Sequence, residues 1–104
     1  MKKWFVSVSL LAAAVMSTQV FATDQAVLDR YAKTCALCHG SGAAGAPKAG
    51  DAEQWAPRLK QGIDTLISHA KNGFKAMPPK GMCFDCSDDD FRALITYMST
   101  GKGK

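Results

Sequence analysis

Residues 35–39 form the pentapeptide Cys35-Ala36-Leu37-Cys38-His39, in which two residues separate the thiols and an imidazole follows directly. Covalent attachment of haem c needs this pattern, because both thiols must reach the two vinyl groups on one porphyrin edge while the histidine binds the iron. A thioredoxin-like redox motif shares the thiol spacing but belongs in a βαβ setting, and a plain disulfide has no need of His39. The motif therefore predicts one haem c attached through Cys35, Cys38 and His39.

A second axial ligand would close the iron to other molecules. The side chains that could supply it are Met77, Met82, Met98 and His69. Met98 falls in the apolar stripe of a predicted helix, and His69 lies away from the apolar face of another. Met82 is adjacent to Cys83, whereas Met77 precedes two prolines that keep the chain extended and stiff. We therefore expect Met77 to be the distal ligand, and His/Met ligation gives a higher reduction potential than His/His ligation.

The N-terminus has the pattern of a secretory signal peptide. Lys2 and Lys3 precede an apolar run from Trp4 to Met16, and Val20-Phe21-Ala22 is close to the A-x-A cleavage pattern. A retained membrane anchor is the alternative, but the apolar run is short for about 30 Å of hydrocarbon. We expect residues 1–22 to be a cleaved signal peptide, residues 23–104 to be one domain, and the protein to be periplasmic without stable membrane insertion.

A second pair of thiols, Cys83 and Cys86, has the same spacing, but Ser87 follows it in place of a histidine. Without a proximal imidazole this pair does not predict a second haem. Zinc would need further ligands, and the remaining histidine, His69, is distant in the sequence. In an exported protein these thiols are expected to form a disulfide with each other.

The elements that must position these residues are helical. No run of alternating polar and apolar residues is long enough to predict a strand, so the fold class is all-α, with about four helices around one haem. A domain this small has little core of its own, and a buried haem would add apolar volume. The predicted helices are Asp24–Cys35, Asp51–Ala56 (ending before Pro57), Ile63–Asn72 and Asp88–Ser99.

Several stretches of the chain together resemble the bacterial cytochrome c5 family of class I cytochromes c. They are residues 35–39, 45–51, 55–58 and 76–88. The resemblance implies a compact all-α fold around one haem, with Met77 as distal ligand and a Cys83–Cys86 disulfide.

The resemblance also assigns roles around the haem. It implies that the Pro47 carbonyl accepts a hydrogen bond from the ring nitrogen of His39 that does not bind iron, which would fix the ring. It makes Trp55 and Arg58 candidates for contacts with the haem propionates. Ordinary core packing for Trp55, and a solvated surface charge for Arg58, remain alternatives.

These features predict a non-enzymatic carrier that shuttles single electrons between redox proteins. A haem enzyme or a gas sensor would need an open iron site, and a domain from a larger complex is a third possibility. Partners would dock transiently, guided by charge, and Lys71, Lys75 and Lys80 could contribute to docking or be merely solvated. The net charge of +4 comes without a dense Lys/Arg stripe, so nucleic-acid binding is not expected. We expect a monomer or a weak homodimer.

Overall fold

A computed structural model describes residues 25–100 of the chain. The predicted signal peptide and its cleavage site lie outside the described residues. Within residues 25–100 there are five α-helices and two short 3₁₀ turns, joined by irregular loops. The helices are α1 (Gln25–Lys33), α2 (Ala36–His39), α3 (Ala52–Leu59), α4 (Ile63–Asn72) and α5 (Asp88–Ser99). The 3₁₀ turns are Ala43–Gly45 and Pro79–Met82. The all-α expectation is confirmed, since the described residues contain no strand and have only an isolated bridge between Phe74 and Met77.

Two of the four predicted helices have different bounds in the structure. The first helix was expected to reach Cys35, but α1 ends at Lys33 and α2 begins at Ala36. Between them the Thr34 hydroxyl donates to the Arg30 carbonyl at 2.7 Å. Such side-chain bonds to the preceding turn compete with a regular helix. As a result the residues from Ala36 to His39 occupy a helical turn of their own.

The prediction that the helix Asp51–Ala56 ends before Pro57 was wrong, because α3 begins at Ala52 and continues to Leu59 with Pro57 inside it. A proline lacks the N–H that would bond to the carbonyl four residues earlier, here that of Glu53. Glu53 is exposed, so water can satisfy this carbonyl. The Arg58 side chain also donates to the Gln54 carbonyl one residue further on. The first turn is capped by Asp51, whose carboxylate accepts from the Gln54 amide at 3.2 Å.

The remaining two helices have the predicted bounds. α5 begins with the predicted capping box: the Ser87 hydroxyl accepts from the Asp90 amide at 3.2 Å, and the Asp90 carboxylate accepts from the Ser87 amide at 2.9 Å. α4 and α5 pack against each other, and most of the core lies between α3, α4 and α5. Its largest members are Trp55, Leu66, Ile67, Phe91, Leu94, Ile95 and Met98. Truncating a buried leucine such as Leu94 to alanine costs about 2–5 kcal/mol in proteins generally.

Arg30 ties α1 to the start of α5. Its guanidinium pairs with Asp90 and lies 3.9 Å from the Asp85 carboxylate. A second connection is the edge-to-face contact between Tyr31 and Tyr97, with ring centroids 5.1 Å apart. Within residues 25–100 no helix has the length and apolar character needed to cross a membrane.

Candidate haem site

Cys35 and Cys38 lie on one face of a single helical turn. Cys35 is in the right-handed helical region (φ −62°, ψ −33°), and the Cys38 amide donates back to its carbonyl at 3.2 Å. Residues three apart in a helix project from the same side. Both thiols are free; that of Cys38 is exposed and that of Cys35 is half-buried, and burial raises the pKa of Cys35. The turn therefore presents two free thiols side by side, as attachment to one edge of a porphyrin requires.

His39 ends this turn and is buried. Its Nδ1 lies 2.8 Å from the carbonyl oxygen of Pro47. A carbonyl can only accept, so Nδ1 carries the proton and Nε2 keeps its lone pair. Burial lowers the pKa of His39 and the charge of Arg58 acts in the same direction, whereas the hydrogen bond to Pro47 opposes them. The result is a neutral imidazole with one oriented nitrogen, which is the form that binds a metal.

The loop that carries Pro47 is held at several points. The Ala49 amide donates to the His39 carbonyl at 2.7 Å, and the Gly50 amide donates to the Met98 carbonyl of α5 at 2.8 Å. The Trp55 indole N–H donates to the Lys48 carbonyl at 3.0 Å. These bonds, made by the three residues that follow Pro47, fix the direction of its carbonyl and, through it, the His39 ring.

Trp55 and Arg58 surround the same imidazole. The buried Trp55 ring lies nearly parallel to the His39 ring, with centroids 5.7 Å apart and planes at 28°. The indole N–H is the only donor of the Trp55 side chain, and in this structure it donates to the Lys48 carbonyl of the loop. Arg58 is half-buried and donates to the Gln54 carbonyl at 2.5 Å. Contacts of either residue with a propionate stay a prediction.

Met77 lies on a separate loop, between α4 and α5. Its amide donates to the Phe74 carbonyl at 2.9 Å and its carbonyl accepts from the Phe74 amide at 3.0 Å, which closes a tight turn. Pro78 follows in an extended conformation (φ −71°, ψ 159°). The Met77 side chain is half-buried and packs against the core. The loop thus holds one thioether on a stiff support.

The other three candidates for a distal ligand occupy different environments. Met98 is only 3% exposed and belongs to the core, as expected from its place in α5. Met82 is 51% exposed. His69 is half-buried and stacks on Phe74, with ring centroids 4.0 Å apart and planes at 7°. The imidazole of His69 is therefore packed against a neighbouring ring.

Cys83 and Cys86 form a disulfide in this structure, and both are buried. The carboxylate of Asp85 lies beside their sulfurs, but sulfurs bonded to each other are not thiolate ligands for a metal. One Arg30 Nη atom lies 3.6 Å from Cys86 Sγ. The disulfide loop is thereby joined to α1 as well as to the start of α5.

The family model described as "Cytochrome C oxidase, cbb3-type, subunit III" matches residues 22–98. A cytochrome c5 from Azotobacter vinelandii is 49% identical over 73 residues, which cover 68% of this chain and 88% of that protein. The chain belongs to the cytochrome c5-type class I cytochromes c.

Solved structures of monohaem relatives have the same fold. A monohaem ferrocytochrome c from Shewanella putrefaciens matches with a TM-score of 0.65 and 47% identity, covering 71% of this chain and 91% of that one. The cytochrome c in an electron transfer complex with nitrite reductase matches with a TM-score of 0.67 and 41% identity, covering 75% of this chain and 95% of that one. As a cytochrome c5-type protein, the chain carries one covalently bound haem and transfers electrons.

The described residues fit this group. Two free thiols share one helical face, and a neutral imidazole next to them has its Nε2 uncommitted. The described contacts join Cys35, Cys38, His39, Pro47 and Trp55 into one cluster; Met77 and the disulfide belong to a second cluster on the loop before α5. Sequence reasoning missed Arg30, which joins α1 to this second cluster, because its partners lie in a distant segment of the chain.

Proposed function

We propose that this protein is a periplasmic one-electron shuttle in which Cys35 and Cys38 attach the haem while His39 and Met77 are its axial ligands. The observation that carries the proposal is the hydrogen bond from Nδ1 of His39 to the Pro47 carbonyl. It leaves Nε2 as the ring atom available to iron, directly after the two thiols in sequence. Second-shell bonds of this kind orient metal-binding histidines and raise their basicity.

When bound, the haem supplies an iron that alternates between the ferrous and ferric states. The task of the chain is to keep both axial ligands in place while the charge changes. His39 is held through Pro47, and Met77 is held through its two backbone bonds to Phe74. A thioether is a soft, weak donor that favours the ferrous state relative to a second imidazole, so His/Met ligation raises the reduction potential.

A haem enzyme or a gas sensor would need a position on the iron that small molecules can enter. Carbon monoxide added to the reduced protein distinguishes these functions from a shuttle. We expect a low-spin spectrum that carbon monoxide leaves unchanged at neutral pH. Rapid conversion to a carbon monoxide adduct by the wild-type protein would contradict the closed site and favour a sensor or an enzyme.

Transient docking to redox proteins is part of the proposal. The solved relative in complex with nitrite reductase supports docking of this fold to a redox enzyme. Lys71, Lys75 and Lys80 are exposed, and each has a partner within the chain. Lys71 pairs with Asp88 at 3.0 Å, Lys75 lies over the Phe74 ring at 5.3 Å, and Lys80 donates to the Phe84 carbonyl at 3.3 Å.

Such exposed interactions contribute at most about 1 kcal/mol, so an acidic partner can compete for these lysines. The test is retention of periplasmic proteins on the immobilised protein at low and high salt. Changing Lys75 and Lys80 to glutamate should abolish the salt-sensitive retention, whereas changing Lys33 and Lys60, exposed lysines outside this group, should not. Equal retention by both variants would exclude this docking surface.

Export to the periplasm is supported by the basic start, apolar run and Val20-Phe21-Ala22 site of the N-terminus. N-terminal sequencing of the haem-containing protein should begin at Thr23, and the protein should be released with the periplasmic fraction. A protein that began at Met1 and sedimented with membranes would instead establish a retained anchor.

A further inference from the structure

The turn after Met77 has an unusual backbone. Lys80, Gly81 and Met82 all have positive φ angles, of 63°, 53° and 71°. Residues with a Cβ rarely adopt such angles, because the Cβ approaches the backbone carbonyl, and a run of three is disfavoured. Strained conformations of this kind persist where surrounding contacts hold them, and they cluster at functional sites. The left-handed turn therefore needs an explanation beyond linking two segments.

Contacts at both ends hold the left-handed turn. The Gly81 amide donates to the Pro78 carbonyl at 3.0 Å, and the Cys83 amide donates to the Lys80 carbonyl at 2.9 Å. Cys83 is in turn bonded to Cys86 and almost fully buried. The turn is thus fixed between a stiff proline segment and a disulfide anchored in the core.

Gly81 faces the end of the Met77 side chain. A Cβ on Gly81 would lie 2.9 Å from Cε of Met77, closer than real Cβ atoms approach another carbon. The space taken by the Met77 methyl group therefore exists only because residue 81 has no side chain. Met77 Cε is the end of a flexible side chain, so a Cβ here would displace the methyl group and change the orientation of the thioether to which it belongs.

A second glycine approaches the same loop but touches different atoms. A Cβ on Gly73 would lie 3.2 Å from the Met77 carbonyl oxygen and 3.2 Å from both N and Cδ of Pro79. These are backbone and ring atoms that can move only with the whole loop. Gly73 is therefore required for the path of the backbone. Of these two glycines, Gly81 is the one whose Cβ would contact the Met77 side chain.

We propose that Gly81 is a positioning residue for the distal ligand: the left-handed turn brings its Cα against the Met77 methyl group and so determines where the thioether lies. The inference rests on the proposed role of Met77 as the iron ligand. A side chain at position 81 would displace the methyl group, turn the thioether and weaken its hold on the iron, without touching the attachment cysteines or His39.

The test compares Gly81→Ala and Gly81→Asn with Gly45→Ala and Gly45→Asn in the holoprotein. Gly45 also has a positive φ (80°), but a Cβ there would have no heavy atom within 4 Å. Asparagine tolerates left-handed backbone better than alanine, so the Asn variants separate backbone strain from the new Cβ contact. Two quantities are measured: the affinity of the ferric protein for imidazole, which competes with Met77, and the position of the Met77 methyl resonance in the reduced protein.

Both Gly81 variants should bind imidazole about tenfold more tightly than wild type, equivalent to about 1.4 kcal/mol, and should shift the methyl resonance. Both Gly45 variants should match wild type. Gly81 variants indistinguishable from the Gly45 variants would overturn the inference. Loss of amide-exchange protection at Cys83 in both Gly81 variants would also overturn it. That result would mean that glycine is needed for the backbone conformation of the turn and not for the position of Met77. Absence of a ring-shifted Met77 methyl in the wild type would instead disprove the proposed ligation itself.

Discussion

Nδ1 of His39 donates to the carbonyl oxygen of Pro47 across 2.8 Å, and a second hydrogen bond joins the same loop to the backbone of His39. The amide of Ala49, two residues beyond Pro47, donates to the His39 carbonyl at 2.7 Å. His39 therefore cannot rotate or change its tautomer without disturbing the loop that follows it. These two hydrogen bonds explain how a short helical turn can hold the imidazole in one orientation. The ring is fixed by backbone atoms of the loop, which side-chain motion does not move.

Trp55 supports this arrangement through its bond to Lys48. We predict that Trp55→Phe, which keeps an aromatic ring but removes the indole N–H, lowers the free energy of unfolding by about 1–2 kcal/mol. It should also weaken the amide-exchange protection of Ala49. Gln54→Ala is the matched control, because it removes a bond to the same residue, from the Lys48 amide at 2.8 Å, on the exposed side. Equal loss of Ala49 protection in both variants would exclude a specific role for the indole.

The attachment cysteines give a sharp biochemical prediction. Cys35→Ser together with Cys38→Ser should yield a protein without covalent haem, because a hydroxyl does not add to a vinyl group as a thiol does. Denaturing gels stained for haem peroxidase activity provide the measurement, with Ala36→Ser as a control within the same turn. A stained band from the double variant at the position of the full-length protein would show that the haem is attached elsewhere.

Asp90 makes the start of α5 sensitive to acid. Its hydrogen bond from the Ser87 amide, and next its contact with Arg30, hold the pKa of Asp90 below its usual value. A carboxylate whose pKa is lower in the folded state stabilises the fold above its unfolded pKa of about 3.9, and this contribution is lost as the pH falls through the folded pKa. We predict that Asp90→Asn is less stable than wild type at pH 7 and that the difference disappears at low pH.

Denaturant unfolding from pH 7 down to pH 2 measures this difference. Asp89→Asn removes the same charge from the first turn of α5 and serves as the control. If the two substitutions gave parallel stability curves over the whole range, the helix dipole alone would account for the effect, and the specific bonds of Asp90 would contribute nothing measurable.

Local signals predicted some of these elements well and others poorly. The bounds of α4 and α5 follow from residues next to them in sequence: Gly73 ends one helix, and the Ser87–Asp90 capping box begins the other. The helical turn through Pro57 could not be predicted in this way. It includes a bond from the Arg58 side chain to the Gln54 carbonyl, a contact that the local preference against proline does not take into account.

The site shows the same division. Spacing alone predicted that Cys35, Cys38 and His39 act as one group, and the structure places them in one helical turn. The contact between Gly81 and Met77 depends on three left-handed residues in succession, two of which, Lys80 and Met82, do not favour that conformation intrinsically. Only the three-dimensional path of the chain, fixed by the disulfide and the prolines, brings Gly81 to the thioether.

The distal ligand of the iron can be identified from its absorption spectrum. Met77→Ala should remove the weak absorption band at the red end of the visible spectrum that sulfur bound to ferric iron produces. It should also lower the reduction potential and allow carbon monoxide to bind the reduced protein. Met82→Ala should retain the band. The Met82 side chain is half-exposed, and the residue directly precedes Cys83 of the disulfide. Loss of the band in Met82→Ala but not in Met77→Ala would transfer the ligand role to Met82.

His69→Ala is the matched test of the remaining candidate. The His69 ring packs flat on Phe74, whose amide and carbonyl both bond to Met77, so its loss should loosen the Met77 loop without removing the ligand. We expect the red band to remain at neutral pH and the thermal unfolding midpoint to fall by a few degrees, as a loss of about 1 kcal/mol produces in a domain of this size. If His69→Ala alone abolished the native low-spin spectrum, the iron would have two histidine ligands, and a comparatively high reduction potential would no longer be expected.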